Sequence, residues 1–106
     1  MPSATYELFR TAILERKQIV CDYGGYYREV CPHILGYTDD AERALTFQFG
    51  GESKSGLLPD GDWRCFTLSD VRKAHLREGP WRTGEQHGHP QVCVDIVELD
   101  VNRLDK

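Results

Sequence analysis

A chain of 106 residues has room for one domain built on one core. Its net charge of -4, from 13 Lys and Arg against 17 Asp and Glu, excludes the broad basic surface that long nucleic acids require, though not a local basic pocket. No apolar run approaches the ~20 residues that span a bilayer as a helix, and Met1 to Tyr6 lack the basic start and apolar centre of a signal peptide, so the expectation is a cytoplasmic protein without membrane contact.

Ser3 or Thr5 can cap a helix over residues 5–16. Tyr6, Phe9 and Ile13 fall at i, i+3 and i+7, flanked by Leu8 and Ala12, while Glu7, Arg10, Glu15 and Arg16 are left for solvent. A helix this short does not persist alone, so it is expected to cap the open end of a barrel. Ile19, Cys21 and Tyr23 then alternate along a strand, and Gly24-Gly25 is a two-residue hairpin signal. Tyr26 to Leu35 returns; Pro32 inside it marks an edge, a bulge or a bend, and Gly36 allows a sharp change of direction. A polar turn over 38–42 leads to a strand from Ala44 to Phe49. There Leu45, Phe47 and Phe49 share one face and Thr46 and Gln48 the other, the pattern of a half-buried strand.

A polar loop runs from Gly50 to Gly61, and Trp63 to Val71 reads as a strand that ends at a Ser69-Asp70 turn. Arg72 to Leu76 continues as a further strand until Glu78-Gly79-Pro80 breaks it, and Trp81 to Pro90 has the look of a long surface loop. Cys93 to Val97 reads as a short helical turn and Glu98 to Asn102 as a last strand. Together these features predict a mainly β fold with one N-terminal helix: a small, strongly bent antiparallel SH3/Sm-like barrel of about five strands. The barrel occupies residues 17–77, with a loop and tail over 78–106.

Chemistry-bearing residues are sparse. Cys21, Cys31, Cys65 and Cys93 show no CxxC spacing and read as small core hydrophobes in a reducing compartment. Among His33, His75, His87 and His89 the close pair is His87-Gly88-His89, which is not the ligand pattern of a structural zinc site, so neither metal nor cofactor is expected. Catalysis is not expected either: Cys31 and His33 share a strand face with nothing to orient them, and Ser53 and Ser55 have no identifiable base.

Arg64 has the parity of Phe66 and Leu68, so if those face the core, Arg64 emerges at the rim or is buried with a partner. It can fork onto a phosphate or carboxylate, or it can bond backbone carbonyls or Asp70. Gln48, Ser53 and Lys54 supply donors beside Gly50-Gly51, a composition suited to an anion or a base edge, though equally that of a plain connecting loop and not a P-loop. Tyr23, Tyr26, Tyr27 and Trp63 are either base-stacking platforms or core. His33, between Pro32 and Ile34, reads first as a structural hydrogen bonder and completes the candidate set.

From Arg16 to Leu76 the chain resembles the WYL domain, a bacterial Sm-like barrel found mostly in transcriptional regulators. The resemblance is carried by Asp22-Tyr23 before a glycine turn, by Arg28-Glu29-Val30-Cys31-Pro32-His33-Ile34-Leu35-Gly36, by Ala44 to Phe49, and above all by Arg64-Cys65-Phe66-Thr67-Leu68-Ser69-Asp70-Val71. The Trp-Tyr-Leu triplet itself is absent, with Leu45-Thr46-Phe47 near its place, and too few residues precede Arg16 for a helix-turn-helix domain. The resemblance implies a stand-alone sensor barrel that binds a small anionic, nucleotide-like ligand or a short single-stranded nucleic acid, and it adds Arg28 to Arg64 as a site residue. The rival expectation is an interaction module, pairing its edge strands with a second copy or a protein partner.

Overall fold

The computed structural model describes residues 2–51, 61–83 and 93–103. Helix α1 (Ala4–Glu15) starts at Ser3, whose Oγ accepts the Tyr6 N–H at 3.1 Å. It ends where Arg16 turns into the left-handed region at φ 53°, letting Lys17 N–H donate to the Ala12 carbonyl at 2.9 Å. Its buried stripe is Tyr6, Phe9, Ala12 and Ile13.

Six antiparallel strands follow: β1 (Gln18–Tyr23), β2 (Tyr26–Thr38), β3 (Ala41–Gly51), β4 (Asp62–Thr67), β5 (Val71–Arg77) and β6 (Ile96–Asp100). Their order is β4-β3-β2-β1-β5, with β6 added to β2. The 13-residue β2 is the spine, because it changes neighbours along its length. Val30 lies between Ile19 of β1 and Gln48 of β3; Leu35 lies between Ala44 of β3 and Leu99 of β6. The changeover sits at a bulge, where the β3 register shifts between Pro32 and Ile34. Of the three expectations for Pro32, the bulge is the one realised, and it bends the sheet into a barrel-like wrap.

Gly36 does not reverse the chain, which runs on as β2 to Thr38. It is glycine for another reason: a Cβ there would collide with the Ile96 carbonyl oxygen, so only glycine lets β6 approach. The reversal comes at Asp39 and Asp40, both left-handed at φ 51° and 67°.

The strand from Ala44 to Phe49 corrects the half-buried reading: Ala44 through Phe47 and Gln48 are buried on both faces. The inner face packs Ala44 with Ile19, Cys21, Val30, Leu35, Phe66, Leu68 and Val71 under the helix stripe. The outer face packs Leu45 with Ile34, Cys93, Val94 and Trp63. A tail segment supplies that second layer, which the alternation within β3 could not foretell.

The tail expectation is corrected as well. Residues 93–97 form no helical turn; the strand begins at Ile96, and a single 3-10 turn, Val101–Arg103, follows it. The physical cause is the edge of β2 beyond Ile34, whose backbone groups β6 pairs. The last strand of the tail thus joins the sheet as its sixth strand. Cys65 and Cys93 are not separate thiols but a disulfide across 28 residues, joining the tail to β4. Trp81, expected on a surface loop, packs against the core and against His33. No helix among the described residues is long and apolar enough to cross a membrane.

Candidate anion-binding site

The β1–β2 hairpin turns through Gly24 and Gly25, left-handed at φ 61° and 84°. Two residues into β2, Arg28 stands opposite Cys21 of β1 and Gly51 of β3 and points to the inner face, where it is 7% exposed. Its Nε donates to the Tyr23 carbonyl and its Nη1 to Gln48 Oε1, both at 3.2 Å. The guanidinium lies 5.3 Å from the Tyr23 ring centre and 5.8 Å from those of Tyr26 and Phe66. Tyr23 and Phe66 stack on each other at 4.1 Å, which holds this aromatic wall in place.

Among the described residues no carboxylate forms an ion pair with Arg28. Burial pushes its pKa below the usual arginine value, and the nearby Arg64 charge pushes it further the same way. Arginine nonetheless stays protonated in proteins, so the barrel holds a cation at this point. A buried guanidinium without a counter-ion is costly. The two hydrogen bonds and the aromatic faces offset that only in part, and the other N–H groups of the fork are available to an acceptor.

Gln48 is fully buried and cross-braces the site, accepting from Arg28 and donating through Nε2 to the Gly50 carbonyl at 3.0 Å. Arg64 lies on β4 opposite Thr46, two residues from Phe66 on the same face. Its Nη1 meets Asp62 Oδ2 at 3.2 Å, with the side chain four-fifths buried. The expectation of a rim position or a buried partner thus resolves to a partner, and it is Asp62 rather than Asp70. Asp62, two residues before Arg64 on β4, shares its face by strand parity, and that parity is the signal the sequence carries for the pair. Tyr23 and Gly24 also line an open groove of about 530 Å³ with Asp22, Gly25, Asp70, Arg72 and Lys73.

The structure brings Arg28, Gln48 and Arg64 together and separates His33 from them. His33 is the bulge residue and turns to the outer face, with Trp63 and Trp81 ring centres each 4.8 Å away. Its Nδ1 donates to the Cys31 carbonyl at 2.8 Å, and its Nε2 bonds the Thr83 hydroxyl at 3.0 Å. That is the structural role the sequence suggested first. Ser53 and Lys54 lie outside the described residues, as do His87 and His89.

Comparisons with known proteins return no match: no family model, no curated protein and no solved structure matches this chain. What the site offers is its own chemistry: one buried guanidinium braced by an amide and walled by aromatic rings, with a second, paired to Asp62, nearby. Such a site can bind and orient an oxyanion by charge-assisted hydrogen bonds.

Proposed function

We propose that this protein is a ligand-binding regulatory module whose barrel interior recognises a small anionic, nucleotide-like ligand. The observation that carries the reading is Arg28, nine-tenths buried, without a carboxylate partner among the described residues, and with part of its donor fork uncommitted. Arg64, paired with Asp62, lies near enough for its charge to act on Arg28, and Gln48 holds the fork in orientation. The sequence adds Ser53 and Lys54, which lie outside the described residues. The resemblance to the WYL domain supports the same role, in the same two arginines. The acidic surface charge favours a ligand the size of a nucleotide over an extended strand.

The test is a thermal-shift screen against nucleotides, cyclic nucleotides, short single-stranded DNA and RNA, and metabolite anions. A ligand at about a hundred times its dissociation constant adds roughly 2.7 kcal/mol, which moves the melting temperature visibly. The shift should vanish in Arg64→Ala and Arg28→Met. A shift that survives both variants places the ligand elsewhere.

A second reading rests on β6. Ile96 and Val97 are 63% and 45% exposed on a strand that pairs with β2 on one side, the composition of an edge open to strand addition by a second copy or a protein partner. A concentration-independent monomer mass removes the self-association form of it.

A further inference from the structure

We infer that the arginine site, on the reading proposed above, takes a terminal oxyanion, a phosphate monoester or a carboxylate at the end of a ligand, and not a phosphodiester within a polymer.

The reason is access. Arg28, close to the β1–β2 turn, is fixed by its bonds to Tyr23 and Gln48, with rings of Tyr23, Tyr26 and Phe66 around its guanidinium. With 7% of the residue exposed, only a small part of it is open to an incoming group, which favours an end-on approach. An internal phosphodiester carries chain on both sides, and each flanking sugar would have to occupy space that these rings fill. A terminal group carries its bulk on one side, which can remain at the mouth. A terminal phosphate has one more unesterified oxygen than a diester, and a terminal carboxylate presents its oxygens in the planar fork that matches the donors of arginine. Nucleic-acid proteins that grip internal phosphates do so with exposed basic surfaces, whereas here the total charge is -4.

The deciding experiment titrates the full chain with four probes, followed by calorimetry and by amide NMR shifts: inorganic phosphate, adenosine 5′-monophosphate, adenosine 5′-carboxylic acid, and the dinucleoside monophosphate ApA, whose ends are both hydroxyls. Each is repeated with Arg28→Lys, which keeps the charge and loses the fork, and with Arg28→Met, both checked for a native melting transition. The expected result is that an end-group probe binds at least tenfold more tightly than ApA, that the preference falls to within twofold in Arg28→Met, and that Arg28→Lys lies between. Whichever of the monophosphate and the carboxylate binds tighter identifies the source of the oxyanion. ApA binding as tightly as the monophosphate, with both weakened by Arg28→Met, overturns the terminal-group inference and leaves the anion site standing. No Arg28-dependent binding of any probe, inorganic phosphate included, overturns both.

Discussion

Two buried polar side chains on β2, five residues apart, face opposite sides of the sheet and differ in how their bonding needs are met. His33 on the outer face has both ring nitrogens bonded within the protein and sits between two tryptophans. Arg28 on the inner face carries a full charge, is bonded to a carbonyl and an amide, and has no carboxylate against it among the described residues. The lesson is that burial of a polar group does not by itself mark a site. A buried group satisfied by its own chain is architecture; a buried cation whose counter-charge is not supplied nearby is a place where an anion gains more than it would at the surface.

The sharpest way to test that division is to loosen one face and watch the other. Reducing the Cys65–Cys93 disulfide, or replacing it with Cys93→Ser, removes the link between the tail and β4. Closing a loop of this separation is worth about 3 to 4 kcal/mol in the chain-entropy account, so the urea midpoint should fall clearly. Hydrogen exchange should rise on the outer face around Leu45 and Ile34, while oxyanion affinity at Arg28 stays within about twofold, or roughly 0.4 kcal/mol. Affinity lost in step with stability would show that the two faces act as one.

Next in size is the contrast between the two residues. Arg28→Met should weaken oxyanion binding about 100-fold, roughly 2.7 kcal/mol, with far less effect on folding. His33→Gln should cost about 1–3 kcal/mol of stability through unmet bonds at Cys31 and Thr83, with binding unchanged. Isothermal titration and denaturant unfolding on both variants decide it, and a reversed pattern would exchange their roles.

A smaller effect concerns pH. The Tyr27 hydroxyl, donating at 2.8 Å, and behind it the Arg77 guanidinium at 3.0 Å hold the Glu29 carboxyl below the usual carboxylate range. A carboxylate with a depressed folded pKa stabilises the fold above its unfolded value, about 4.3, and that contribution is lost as pH falls through the folded value. Glu29→Gln should therefore flatten the acid limb of a stability profile below about pH 4, and the change at neutral pH should stay under about 1 kcal/mol for so exposed a pair. The smallest expected signal is at the free cysteines. Burial pushes the Cys21 thiol up to about 12 and that of Cys31 up to about 11, so at pH 8 neither should be alkylated until the chain unfolds. Rapid labelling of the native protein would show the inner or the outer face opening without global unfolding.

Much of this architecture was legible locally. The helix stripe of Tyr6, Phe9 and Ile13, a cap at Ser3 or Thr5, the Gly24-Gly25 hairpin and a departure from regular pairing at Pro32 follow from period, capping chemistry and backbone preference, and the fold selects Ser3 and the bulge among those choices. The parity of Arg64 with Phe66 left that arginine at the rim or buried with a partner, and the fold supplied the partner in Asp62. What pairing parity could not supply was which distant segment would cover a face. The alternation in β3 promised one buried side because nothing within that strand encodes Cys93 and Val94 lying over the other. The pairing of β6 with β2, the Cys65–Cys93 link and the docking of Trp81 on His33 have the same origin. They were decided by contacts between residues far apart in the chain, where the gain comes from burying area and pairing backbone groups that exist only once β2 has bent. The amino-acid order by itself determined the helix and most of the strands; only the tertiary structure decided that Arg28 and Arg64 share one interior with Gln48 while His33 belongs to the other face, because that depends on contacts between distant segments.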